Sequence, residues 1–136
     1  MTQNKSRLLS AAREARLRAY APYSHFLVGC AVLSESGRMF TGANIENASY
    51  GLTVCAERNA LFAMVAAGEK RFDALLVTAD TERPVRPCGA CLQVMAEFAT
   101  PESRVIMAGR GEQMEEKPLA ELLPLAFRPT SEKHIP

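Results

Sequence analysis

Cys55-Ala56-Glu57-Arg58 and, about 30 residues further on, Pro87-Cys88-Gly89-Ala90-Cys91 are the two stretches on which this sequence turns. Each opens a run of helical periodicity. After Cys55, residues Ala60, Leu61, Met64 and Val65 fall on one side of a helix that Gly68 ends; after Pro87, residues Cys91, Val94, Met95 and Phe98 keep the same spacing until Thr100-Pro101 stops it. The first turn of a helix offers unpaired N–H groups and the positive end of the dipole, which ease the ionisation of a thiol. Three thiols so placed describe a zinc site with an open position, because a structural zinc is closed by four ligands and a catalytic one leaves its fourth place to water. Glu57 stands where a base that takes that water's proton would stand. The alternative is a structural zinc beside an unrelated glutamate.

Working outward, Leu8, Ala12, Ala15 and Ala19 recur at helical spacing and predict an opening amphipathic helix that ends before Pro22. Phe26 to Leu33 reads as an apolar strand, Ser36-Gly37 as a turn and Arg38 to Gly42 as the returning strand of a hairpin. Asn44 to Thr53 reads as a loop and Ala74 to Ala79 as a buried strand. Val105 to Ala108 and Gln113 to Glu116 predict two more strands around the turn Gly109-Arg110-Gly111, and Pro118 suits the first turn of a short helix through Leu123. This order predicts an α/β fold, a three-layer α/β/α sandwich with a five-stranded mixed sheet.

A chain of 136 residues with 48% apolar content supports one domain over 1–136, with a polar tail, 130–136 including His134, expected to be poorly ordered. The net charge is +1, from 16 basic and 15 acidic residues. That balance lacks the basic footprint of a nucleic-acid partner. Charged residues from Lys5 to Arg18 interrupt any apolar stretch that could direct export or cross a membrane, so a cytoplasmic location is expected. Without an export signal, the four cysteines read as free thiols and metal thiolates rather than two disulfides. Cys30, inside an apolar run, reads as a small buried hydrophobe.

Three thiolates on Zn²⁺ leave a surplus negative charge that would weaken the metal as an acid. Arg58, one helical turn after Cys55, can lie over the cluster and donate to sulfur, its alternative being a solvated surface arginine. His25 reads as a structural or pocket-edge residue, since a fourth protein ligand would close the position that water requires.

At these residues the chain resembles cytidine deaminases of the small, homotetrameric, three-cysteine type. The likeness rests on Tyr23-Ser24-His25-Phe26 with Val28-Gly29, the run Gly42 to Tyr50, Cys55-Ala56-Glu57-Arg58, Pro87-Cys88-Gly89-Ala90-Cys91 with Gln93, and Glu121-Leu122-Leu123-Pro124 with Phe127. The resemblance implies one zinc per subunit on Cys55, Cys88 and Cys91, with Glu57 as proton shuttle. It implies that Asn44 and Glu46 hydrogen-bond the sugar hydroxyls, where the alternative is a polar turn. Phe26 would wall the pyrimidine, or else be a core strand residue, and Ala56 would meet the base edge through its backbone. Arg58 and Gln93 would stand behind the ligands, and Tyr50 and Phe127 would reach a neighbouring subunit's pocket in a homotetramer with shared active sites. The implied reaction is hydrolytic deamination of cytidine and deoxycytidine in pyrimidine salvage, with no organic cofactor. Leu92 departs from the family pattern, in which many members carry a basic residue there. Competing readings are deamination of another cytosine-bearing small molecule such as blasticidin S, deamination of nucleic acid, and a zinc-stabilised interaction module that would not need Glu57.

Overall fold

Alternation along three strands builds the protein from its centre. The structure, a computed structural model, describes residues 2–128, so the tail at 130–136 and His134 lie outside the described residues. Strands β1 (Val28–Ser34), β2 (Met39–Ala43), β3 (Phe72–Ala79), β4 (Ala99–Ala108) and β5 (Met114–Pro118) form one sheet in the order β2-β1-β3-β4-β5. Only the β3–β4 pair is parallel; the other three pairs are antiparallel, so the sheet is mixed as predicted. Because side chains alternate across a strand, Cys30, Val32, Leu75, Val77, Val105 and Met107 face one side, and Ala31, Leu33, Ala74, Leu76, Ile106 and Ala108 the other.

Helix α1 (Thr2–Arg16) covers the second side with Leu8 and Ala12, both wholly buried. Truncating Leu8 to Ala there costs about 2–5 kcal/mol. Helices α2 (Ala56–Ala66) and α3 (Gly89–Phe98) cover the first side through Ala60, Leu61, Met64, Cys91, Met95 and Ala96. The short α4 (Leu119–Leu122) closes that layer through Leu119. The result is the three-layer sandwich.

Two glycines let helices approach the sheet more closely than any side chain would permit. A Cβ on Gly29 would stand 2.0 Å from the Ala12 carbonyl oxygen in α1, and one on Gly42 would stand 2.4 Å from the Ala60 nitrogen in α2. Their absent side chains set the layer spacing.

The structure corrects several expected boundaries. Helix α1 ends at Arg16, not just before Pro22, and Ala19 falls outside it. The chain tightens through i→i−3 bonds from Leu17, Arg18 and Ala19, and Tyr20 then bonds Asn44 and Glu46, a pairing with a distant loop that takes its backbone out of the helix. Phe26 precedes β1 instead of beginning it, because His25 adopts a left-handed φ of 59° that turns the chain. Strand β4 begins at Ala99, well before Val105: Ala99 pairs with Phe72 and the ladder resumes at Arg104 opposite Ala74. Ser103 bridges this irregular stretch, donating to the Phe72 carbonyl at 2.6 Å and accepting from the Thr100 N–H at 2.7 Å. Pro118 is the last residue of β5 and the cap of α4, not its first turn.

Candidate metal centre

Cys55 and Cys88 are the N-caps of α2 and α3, and Cys91 lies in the first turn of α3. The Sγ atoms of the three cysteines lie within 4.8 Å of one another, with Cys88 and Cys91 3.6 Å apart. A tetrahedral zinc with Zn–S bonds of about 2.3 Å needs sulfurs about 3.8 Å apart, so the donor set and its spacing fit one zinc ion. The trio grades from buried Cys91 through half-buried Cys55 to exposed Cys88, which leaves the centre open on one side.

Arg58 Nη2 donates to Cys55 Sγ at 3.4 Å, the contact its position one turn along α2 predicts. Its Nε is buried and has no hydrogen-bond partner among the described residues. Hydrogen bonding from Cys91, followed by that from Arg58, brings the Cys55 thiol down to about 5 against its own burial. Cys91 moves upward, first because it donates to Cys55 and then because it is buried. Arg58 is raised in turn, first through its bond to Cys55, and so stays a cation beside the sulfurs.

Glu57 is 4% exposed, and its neighbour Ala56 is wholly buried. Burial first, with the Cys55 charge adding to it, pushes the Glu57 carboxyl up to about 7, against hydrogen bonds from its own backbone and from Cys91. A carboxyl near neutrality can both take and return a proton. Cys30 is fully buried in the same core, and that burial holds its thiol well above the usual range. Asn59 fastens α2 to the sheet through Nδ2, which donates to the Ala43 carbonyl at 2.8 Å. Sequence reasoning overlooked Asn59; a polar side chain amid an apolar helical run was the available signal.

The remaining predicted residues fall into two groups. Asn44 is buried at the end of β2, where its Oδ1 accepts from the Val28 N–H at 2.9 Å and its Nδ2 donates to the Phe26 carbonyl at 2.8 Å. Glu46 Oε1 accepts from the Tyr23 and Ser24 N–H groups at 3.0 and 3.1 Å, and Oε2 accepts from the Ser24 hydroxyl. Those bonds, the Ser24 hydroxyl first, hold its carboxyl below the usual range. Phe26 is 43% exposed. A cavity of about 270 Å³ is lined by Tyr23, Ser24, Glu46, Tyr50 and Thr53, with the Tyr23 and Tyr50 rings edge to face at 5.7 Å. The sequence reading includes Tyr23 and Ser24 only as part of the Tyr23-Ser24-His25-Phe26 motif, with no role assigned, and Thr53 only as the end of the predicted loop.

Gln93, Phe127, His25 and Leu92, the second group, have no recorded bond to the thiols among the described residues. Gln93 Nε2 donates to the Phe127 carbonyl at 3.2 Å, so its recorded bond ties down the C-terminal segment. Phe127 itself is 79% exposed, and Tyr50 73%. His25 is exposed at its left-handed turn, and Leu92 packs half-buried against the core.

The family model for the cytidine and deoxycytidylate deaminase zinc-binding region matches residues 2–108. The chain is 49% identical over 124 residues to the cytidine deaminase of Halalkalibacterium halodurans, which covers 91% of this chain and 94% of that protein. With the cytidine deaminase of Mycobacterium tuberculosis it shares 40% identity over 116 residues, 85% of this chain and 84% of that one. The crystal structure of the cytidine deaminase from Burkholderia pseudomallei superposes with a TM-score of 0.86 at 46% identity, covering 90% of this chain and 98% of that chain. The matched region holds both cysteine clusters, and the likeness in sequence and in three dimensions reaches nine-tenths of the chain, so the protein belongs to the cytidine deaminase family.

Proposed function

We propose that the protein hydrolytically deaminates cytidine and deoxycytidine to uridine and deoxyuridine, releasing ammonia, and does so as a zinc enzyme. The observation that carries this reading is a trio of thiols within 4.8 Å of one another at two helix N-termini, with a buried carboxyl from the same helix turn beside them. Cys55, Cys88 and Cys91 would hold zinc, which when bound would supply the Lewis acidity that lowers the pKa of water towards about 7.

The chain's own groups do the rest. Glu57 moves a proton from the attacking water to N3 of the pyrimidine, which makes C4 electrophilic, then takes the remaining proton of the new C4 hydroxyl and passes it to the amino group, so that the C4 carbonyl forms as ammonia leaves. Arg58 offsets the surplus negative charge of the thiolates. The exposed face of Phe26 stacks against the base, and the Ala56 backbone meets its polar edge. Asn44 and Glu46 take the sugar hydroxyls, which both donate and accept. Because Glu46 already accepts three hydrogen bonds, it has about one acceptor position left for a hydroxyl.

The whole chain acts as one domain in a cytoplasmic salvage enzyme. The exposed rings of Tyr50 and Phe127 support a homotetramer in which each pocket is completed by a neighbour; a monomeric mass with full activity would contradict it. The substrate assignment is tested by ammonia release from zinc-loaded protein given cytidine, deoxycytidine, deoxycytidylate or blasticidin S. Turnover of the two nucleosides is expected, and release only from one of the other two compounds, or from none, overturns it.

A further inference from the structure

The backbone of Phe26 is held on both sides of its Cα by side chains. Its carbonyl accepts from Asn44 Nδ2 at 2.8 Å, and its N–H donates to Ser24 Oγ at 3.0 Å. The same Ser24 hydroxyl donates to Glu46 Oε2, while the backbone N–H of Ser24 reaches Glu46 Oε1 at 3.1 Å. One hydroxyl therefore joins the carboxylate that faces the cavity to the backbone of the aromatic residue that precedes β1. No other side chain among the described residues makes both contacts.

The segment needs such a tie. His25 holds a left-handed φ of 59°, a conformation uncommon for a non-glycine residue, and Phe26 is 43% exposed, so packing alone does not fix its ring. Ser24 is itself exposed and belongs to neither core cluster, which argues against a role in general stability.

We propose that Ser24 is a positioning residue that couples sugar recognition at Glu46 to the placement of Phe26 against the base. This rests on the reading of Glu46 and Asn44 as the sugar-binding pair. A hydroxyl that donates to a carboxylate and accepts from a backbone N–H orients both, and the charge-assisted bond to Glu46 is the stronger of the two. When it is absent, Glu46 keeps its two backbone donors but one oxygen is free to swing, and the Phe26 N–H is left to solvent.

The test compares cytidine with 2′,3′-dideoxycytidine, which lacks the sugar hydroxyls on that edge, in the zinc-loaded wild type and in Ser24→Ala, Ser24→Thr, Glu46→Gln and Ser24→Ala/Glu46→Gln. In the wild type, kcat/KM should favour cytidine by tenfold or more. Ser24→Ala should cut that preference about tenfold, chiefly through KM, with zinc content and Tm unchanged, and Ser24→Thr should restore it. The double variant should lose little beyond Glu46→Gln alone, since the two residues act as one unit. A wild type that does not distinguish the two substrates overturns the sugar-binding reading and this proposal with it. A wild type that does distinguish them, beside a Ser24→Ala variant that keeps the full preference, overturns the coupling alone. Equal losses in Ser24→Ala and Ser24→Thr also overturn it, because the hydroxyl would then not be the feature that matters.

Discussion

Replacing Gly42 with Ala tests whether the metal centre depends on how closely α2 lies against β2. The new Cβ would stand 2.4 Å from the Ala60 nitrogen, 2.7 Å from the Ala56 carbonyl oxygen and 2.9 Å from the Asn59 carbonyl carbon. All three are backbone atoms, so no rotamer change relieves the contact. Restoring ordinary van der Waals separation of about 3.4 Å moves the start of α2 outward by roughly 1 Å. Overpacking of this kind costs about 1–3 kcal/mol, or a Tm lower by about 4–12 °C for a chain of this length.

The functional cost should exceed the stability cost. Helix α2 carries Cys55 at its cap and Glu57 in its first turn, and a displacement of about 1 Å at reacting groups lowers turnover about a hundredfold. Gly29→Ala supplies the contrast, since its Cβ would stand 2.0 Å from the Ala12 carbonyl in α1, on the face of the sheet away from the thiols. It should lower Tm at least as much and leave kcat per zinc-loaded molecule within about threefold, because α1 carries no predicted site residue. Gly111→Ala meets nothing within 4 Å and should stay within about 0.5 kcal/mol of wild type. Thermal melts, zinc content and steady-state kinetics on the three variants give the comparison. A Gly42→Ala protein with wild-type Tm and kcat, or equal losses of kcat in Gly42→Ala and Gly29→Ala, refutes the reasoning.

Two further outcomes are expected. Glu57→Gln keeps the shape of the side chain but removes its proton-carrying capacity, so fold and zinc content should persist while kcat falls by about 10²–10⁴ or more; a fully active variant would sink the mechanism. The Glu116 carboxyl is held below its usual range, first by its bond from Lys5 and then by Arg104 Nε at 3.0 Å. A depressed carboxylate contributes stability above its unfolded value near 4.5 and loses it as pH falls through the lower folded value. Glu116→Gln should therefore melt below wild type at pH 7 and converge with it in acid; a Tm gap of the same size at pH 3 and pH 7 would remove this account.

Much of the architecture was legible because it rests on local patterns. The continuous apolar runs of β1 and β3, the helical spacing after Cys55 and Cys91, and the turn at Gly37, with its φ of 94°, are each determined by a few adjacent residues. The failures came where a distant segment decides. The Thr100-Pro101 pair reads as a helix stop, and α3 does end at Phe98, yet the strand begins at once at Ala99 because Phe72 offers it a partner. Tyr20 leaves its helix because the loop at Asn44 to Glu46 bonds its backbone. Gln93 sits two residues from a ligand, but its recorded bond goes to Phe127, a contact 34 positions away that no local pattern encodes.

By itself the sequence determined the chemical inventory: three thiols, a carboxylate two residues after the first and an arginine one turn on, each placed at a helix start by capping and periodicity. Only the tertiary structure decided their joint geometry. Cys55 and Cys88 meet because β3 and the Thr81–Pro87 segment return the chain to the end of the sheet where α2 begins, and because Gly42 lets α2 lie close enough to it. Burial of Glu57, which raises its carboxyl to about 7, is likewise a product of that packing. Side-chain identity sets which groups can react, whereas desolvation and sub-ångström spacing arise from contacts between segments far apart in the chain.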